Sequence, residues 1–246
     1  MTVSIAVVCE AAADKRTGCE LADRVICEAA DWIAAEVIES YRRYRGFEVH
    51  DEFLRWIQVP DMALALGIRA HGHFDGLPGA PDALATRRAL LILKHAPTPP
   101  DAVILLRDSD REPQRELGMK QARDEYRKRS PTPIVIGLAK VKRECWVLAG
   151  FLPENPEEQT KLDAIRGRDQ LGFDPILRAE RLTAKTPTAK KNAKRILKLL
   201  TKGDPDRERR CWQDAPLQLL KDRGRNVGLS EYFQELDDLL LPLFTA

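Results

Sequence analysis

No CxxC pair occurs in this sequence, and its five cysteines, Cys9, Cys19, Cys27, Cys145 and Cys211, are odd in number and widely scattered. That pattern suggests neither a disulfide framework nor a zinc knuckle, and a reducing cytoplasm is the expected compartment. Long hydrophobic runs are missing too. The opening apolar stretch stops at Cys9, before Glu10, which is too short for the core of a signal peptide or a membrane span. Neither export nor a membrane partner is expected. A GxxxxGK[ST] loop is also lacking, so nucleotide hydrolysis of the P-loop type is expected only from a partner. Nor is there an excess of charge of one sign. The 40 basic and 38 acidic residues leave a net charge of +2. Any nucleic-acid role must therefore come from segregation of charge along the chain.

What is present is a chain of 246 residues, 43% hydrophobic and 32% charged, enough for one large α/β domain or for a domain of about 150 residues with an appendage. Val3 to Cys9 is a β-branched apolar run with little alternation, the pattern of a strand buried on both faces of a parallel sheet. Ala22, Val25, Ile26, Ala29, Ile33 and Val37 recur at helical spacing, predicting a helix of about 20 residues in a segment that ends near Gly46. A further strand is expected around Trp56 to Val59, and a Gly/Pro-punctuated loop before a helix over Ala83 to Lys94. Val103 to Leu106 reads as a second buried strand, followed by a charged helix over Gln114 to Lys128. A strand restarts at Ile134, and Glu144 to Leu152 reads as a short amphipathic turn or helix.

Strands alternating with helices predict an α/β fold with a mainly parallel, Rossmann-like sheet flanked by helices. After Leu152 the strand signals stop. The expected division is a catalytic domain over residues 1–152 and a helical, partly basic region over 153–246. Its closing helix, "LSEYFQELDDLLLPLF", has Ser230 as the expected N-cap.

In a parallel sheet, ligands bind at the C-terminal strand ends, beside a change in strand order. Glu10 follows the first strand, and Asp108 and Asp110 follow the strand ending at Leu106 and Arg107. If those strands are neighbours, three carboxylates converge. Continued extended backbone would point Asp108 and Asp110 to one side, suited to joint coordination of a hard cation. Mutual repulsion would make such a cluster unfavourable without one. Mg2+ is the natural candidate, with Mn2+ as a substitute, because it prefers oxygen ligands and completes its shell with water and substrate phosphate. The competing reading of "DSDRE" is a solvated turn.

The residues "IAVVCE", then a polar loop and helix, then "AVILLRDSD", resemble the Toprim domain of topoisomerases, primases and overcoming-lysogenisation-defect nucleases. "VKRECWVLAG" is similar to small stand-alone Toprim-like proteins of bacterial antiphage loci. The resemblance covers roughly residues 1–152. It implies that Glu10 is a metal ligand or general acid/base, Asp108 and Asp110 metal ligands, and Glu144 an auxiliary acidic residue near a second metal. It further implies a Mg2+-dependent nuclease acting on DNA or RNA in defence against phage or plasmids, with a separately encoded ATPase as partner. The sequence departs from the family pattern at Ala11, where many members have Gly, and no Gly follows Asp110. A non-catalytic nucleic-acid-binding or regulatory subunit is the alternative these departures motivate.

Other motifs carry less. A haloacid-dehalogenase-like DxDx[TV] motif would need Thr or Val at position 112, which is Glu, and would come early. His71, His73 and Asp75 match HxHxD of metallo-β-lactamases, but Gly76 stands where a further His belongs; a polar loop is preferred. Cys9 and Cys145 read as buried small residues, and Trp146, Trp212, Tyr232 and Phe233 as core or interface residues.

The clearest electrostatic feature is Lys185 to Arg210, with ten basic residues against three acidic ones. Ala193, Ile196, Leu197 and Leu200 are expected to face the protein. Lys190, Lys191, Lys194, Arg195 and Lys198 are the candidate nucleic-acid contacts. A solvated helix face is the competing reading. The apolar run "LDDLLLPLF" suits an interface as well as a core, which leaves a homo-oligomer open.

Overall fold

The computed structural model describes residues 2–245. The chain clusters into two units, one taking in the chain up to Leu138 and again from Gln234, the other Ala139–Phe233. The last strand of the sheet ends at Ala139, where the second unit begins.

The first unit is built on β1 (Val3–Cys9). Ile5 to Cys9 are fully buried, as expected of a strand covered on both faces. α1 (Ala12–Ala29) follows at once, and the Ala11 N–H at its start is taken up by Asp14 Oδ2 at 2.9 Å. The predicted helix thus begins earlier and stops sooner than its apolar spacing implied. Ile33 is buried, but from a turn, and the chain continues through α2 (Ile38–Tyr41) into strand β2 (Arg42–Arg45).

β2 is nearly all charge, which conceals it. It forms because its cations find partners: Arg42 pairs with Asp23 of α1 at 2.6 Å. Arg45, 1% exposed, donates to Ser4 Oγ at 2.8 Å and to the carbonyls of Gly46, Phe47 and Thr98. β3 (Leu54–Arg55) extends the same edge. The strand expected around Trp56 to Val59 is instead a 3-10 turn (Trp56–Gln58) leading into α3 (Val59–Ala65), with Pro60 in the first helical turn, where it needs no N–H partner.

A small hairpin, β4 (His73–Phe74) with β5 (Leu77–Pro78), precedes α4 (Ala83–Lys94). β6 (Ala102–Asp108), α5 (Arg115–Arg127) and β7 (Ile134–Ala139) follow. The five-stranded sheet has order β2-β1-β6-β7, with β3 also beside β1. β1 runs parallel to β2, β3 and β6, in register Val8↔Leu105 with the last. The fold class is therefore α/β with a mainly parallel sheet flanked by helices, and the chain ends in helices.

Alternate strand residues serve opposite faces. Ala6, Val8, Val103, Leu105, Ile136 and Leu138 join one core with Val59, Leu90, Leu93 and Met119 of the helices. On the other face α1 comes so close that a Cβ on Gly18 would lie 2.5 Å from Leu106. Arg123 of α5 pairs with Glu235, whose carboxylate also accepts the Ile136 N–H at 3.1 Å, tying the returning chain to the sheet.

The second unit holds α6 (Arg143–Ala149), α7 (Pro156–Arg166), α8 (Ala193–Thr201), α9 (Pro205–Gln213) and α10 (Leu217–Gly224). The closing segment is α11 (Leu229–Glu235), a π-helical turn (Leu236–Leu240) and α12 (Pro242–Thr245). Ser230 is not the N-cap: it lies inside α11 and its hydroxyl donates to the Lys221 carbonyl. Trp146 and Tyr232 stack at 5.1 Å, and with Trp212 and Phe233 they are buried, as core residues should be. Among the described residues no helix is long and apolar enough to cross a membrane.

Candidate functional site

Glu10 stands one residue beyond β1, and Asp108 is the last residue of β6. Because the two strands are hydrogen-bonded neighbours with Val8 level with Leu105, both carboxylates emerge at the same C-terminal edge of the sheet. The continued extended backbone expected through Asp110 does not occur. Asp110 and Arg111 take φ of 46° and 69°, a left-handed turn that Asp tolerates better than most residues. The Glu112 N–H closes it on the Ser109 carbonyl at 2.7 Å. Asp108 and Asp110 are therefore not aligned by strand alternation.

The residues around this edge include three that sequence reasoning missed. Asp82, just before α4 at φ 66°, stands 3.0 Å from Arg107 and also pairs with Arg115. Asp82 Oδ2 and both Nε atoms are buried without an aligned hydrogen bond among the described residues, so the contact is chiefly electrostatic. Arg115 donates to the Asp108 carbonyl and lies 3.6 Å from Asp110. Arg107 lies over the Trp56 ring at 4.9 Å, while Trp56 Nε1 donates to the Leu106 carbonyl at 2.8 Å. Close packing holds the Asp82 segment: a Cβ on Gly118 would lie 1.9 Å from the Pro81 carbonyl. An arginine directly before the DxD was the available sequence signal.

Asp82 lies against the guanidiniums of both Arg107 and Arg115, and Asp110 against Arg115, and the field at Glu10 combines attraction to Arg107 and Arg115 with repulsion from Asp110 and Asp14. Glu10 is exposed at the surface, yet partial desolvation holds its carboxyl above the ordinary range; Arg107 opposes the rise, while Asp110 and Asp14 add to it. A cation at this edge would relieve that repulsion. The donors are hard carboxylate oxygens, the type Mg2+ takes. Among the described residues, however, no three His, Cys, Asp or Glu side chains are grouped closely enough to hold a metal ion. The donor chemistry fits, and the ligand set is not assembled in this conformation.

The remaining candidates are placed as follows. Glu144, in the first turn of α6, belongs to the second unit, where Arg143 lies 3.7 Å from it and 3.8 Å from Glu208 of α9. Burial and the neighbouring Glu144 raise the Glu208 carboxyl, against Arg143. Cys9 and Cys145 are buried, and burial pushes the Cys9 thiol up to about 12, unsuited to nucleophilic work. His71 Nδ1 lies 2.9 Å from Arg87 and Asp75 pairs with Lys128 at 3.4 Å, so two members of the HxHxD stretch have other partners.

In the second unit, α8 carries the basic face. Ala193, Ile196, Leu197 and Leu200 are buried, Lys190, Lys191, Lys194 and Lys198 exposed, and Arg195 half-buried. The Asn192 side chain caps the helix by accepting the Arg195 N–H at 2.9 Å and donates to Ala184 at 3.0 Å. This closes the Lys185 to Lys191 loop. Lys190 Nζ donates to the Asp169 carbonyl at 2.6 Å.

Comparison with family models, curated proteins and solved structures returns no match to this chain.

Proposed function

We propose that the chain is a Toprim-like, Mg2+-dependent nuclease that cleaves phosphodiester bonds in DNA or RNA. The observation that carries this reading is the emergence of Glu10 and Asp108 from adjacent parallel strands at one sheet edge. Asp110 follows in the turn after β6. These three would hold the ion once Asp110 and its turn reorient toward Glu10. A bound divalent ion would polarise a phosphate oxygen and orient water for attack. The chain's own residues supply the setting: Asp82, Arg107 and Arg115 brace the loop, and Glu10, whose carboxyl is raised above its ordinary value, is the proposed group to hold or release a proton. Glu144 enters only through the family resemblance.

The exposed lysines of α8 are the proposed sequence-independent contacts of the second unit with nucleic acid. Defence against phage or plasmids, with nucleotide turnover by a partner ATPase, completes the proposal.

One observation favours the alternative, a non-catalytic nucleic-acid-binding or regulatory subunit: the ligand set is not assembled. The discriminating experiment is incubation of the protein and its Asp108→Ala/Asp110→Ala variant with plasmid, single-stranded DNA and RNA in Mg2+, Mn2+ or EDTA. Cleavage lost in both the variant and EDTA supports the nuclease. Retained nucleic-acid affinity in EDTA, without product under any ion, supports the binding subunit.

A further inference from the structure

A second feature of the first unit lies away from the acidic edge. α4 and α5 pack along each other, and one face of each borders a cavity of about 150 Å³. From α4 come Arg87, Leu91 and Lys94, spaced at four and three residues and hence stacked on one side of the helix. Glu125 and Tyr126 of α5 and Arg129 just beyond it oppose them, and the loop before the hairpin adds Arg69 and His71.

The charges do not balance. Arg87, 7% exposed, is engaged on all sides: it pairs with Glu125, donates to the His71 carbonyl and lies over the Phe74 ring at 3.8 Å. Glu125 thus neutralises one cation of four. The side chains of Arg69, Lys94 and Arg129 have no hydrogen-bond or ion-pair partner among the described residues. Three uncompensated cations converge on a concave site with a buried guanidinium at its wall, where the field is focused. Burial, and then Arg129, hold Arg87 below its ordinary value, so the site is already electrostatically strained toward accepting negative charge.

We infer that this cavity is a binding site for a phosphate group, held by Arg69, Lys94 and Arg129 with Arg87 fixed behind them. Guanidiniums suit phosphate because their planar forks donate paired charge-assisted hydrogen bonds. The cavity has room for an anion of that size. The acidic edge lies at the beginning of α5 and the cavity at its end, from Arg115 to Glu125, roughly 15 Å along a helix rising about 1.5 Å per residue. The two are separate sites, and the inference does not rest on the nuclease reading.

The test is isothermal titration calorimetry of the full-length protein with inorganic phosphate, and with short oligonucleotides carrying a 5′-phosphate or a 5′-hydroxyl. Lys94→Gln/Arg129→Gln is the comparison, because both side chains are exposed and their loss leaves the core intact; circular dichroism checks its fold. The expected result is saturable phosphate binding that weakens about tenfold or more in the variant. Preference for the 5′-phosphorylated oligonucleotide assigns the group to a nucleic-acid end. Equal behaviour of the two oligonucleotides, with phosphate still bound, assigns it to a free phosphate or small ester. Absence of phosphate binding, or equal binding by the variant, overturns the inference. Metal-dependent cleavage is read separately, so either idea fails without the other.

Discussion

Arg115 stands 3.6 Å from Asp110, and from that position its guanidinium also holds the Asp108 carbonyl and the Asp82 carboxylate. One side chain thus ties both ends of the acidic turn to the start of α4.

Removing it should loosen the turn without dismantling the sheet. Arg115→Ala is expected to lower the unfolding free energy by about 1–3 kcal/mol, as for loss of hydrogen bonds to a largely buried charged group. Arg115→Lys keeps the charge but not the fork and should recover only part of it. Urea denaturation measures both; an unchanged midpoint in the Ala variant would show that the turn is held by other contacts.

Glu10 gives a prediction with a sign. Its folded carboxyl lies above the ordinary value, first because of partial desolvation. Its contribution to stability is therefore present with the proton on and lost as pH rises through the raised value. Glu10→Gln stays neutral, so without divalent ions its melting temperature should exceed that of the wild type at pH 7–8, and the gap should close toward pH 4. The same variant should lose cleavage. A lower melting temperature at pH 7 would contradict the strain assigned to this edge.

The Arg207–Glu158 pair of the second unit works in the opposite direction. Glu158 accepts from Arg207 at 2.8 Å and 2.9 Å and from the Glu154 N–H at 2.9 Å. The Arg207 bonds hold its carboxyl below the usual range despite burial. This contribution is complete above the unfolded glutamate value of about 4.3 and is lost as pH falls through the lower folded one. Glu158→Ala leaves the buried Arg207 guanidinium with Glu154 at 3.4 Å and the Leu152 carbonyl at 2.7 Å as remaining partners and should destabilise the protein by about 1–3 kcal/mol at pH 7. Thermal scans from pH 7 to pH 3 should show the gap between variant and wild type narrowing in acid.

Much of the fold was legible because its signals are local. Val3–Cys9, Ala83–Lys94 and the α8 stripe of Ala193, Ile196, Leu197 and Leu200 follow from periodicity and burial alone. Arg42–Arg45 was hidden because what makes it a strand is Asp23, Ser4 and the Thr98 carbonyl, none of them nearby in sequence. The acidic edge was legible as strand ends, but the left-handed turn at Asp110 depends on how Arg115 and the loop pack. The cavity between α4 and α5 was invisible: Arg87 and Glu125 are 38 residues apart and meet only when the helices do.

The basic face of α8 predicts a salt dependence. Lys191→Gln/Lys194→Gln/Lys198→Gln leaves the buried stripe untouched, since all three lysines are exposed. If each contacts a phosphate of duplex DNA, the slope of log affinity against log salt should become shallower by about 2–3. Fluorescence anisotropy at several salt concentrations measures it, and an unchanged slope would make this face merely solvated.

The central claim is that Glu10, Asp108 and Asp110 gather around a divalent cation, and electron paramagnetic resonance of Mn2+ tests it most directly. Titrating Mn2+ into the wild type should quench the free-ion signal saturably, Mg2+ should restore it by competition, and Asp108→Asn/Asp110→Asn should abolish the quenching. A free-ion signal identical for wild type and variant at every concentration would contradict the claim and leave the acidic turn as a structural feature of the loop.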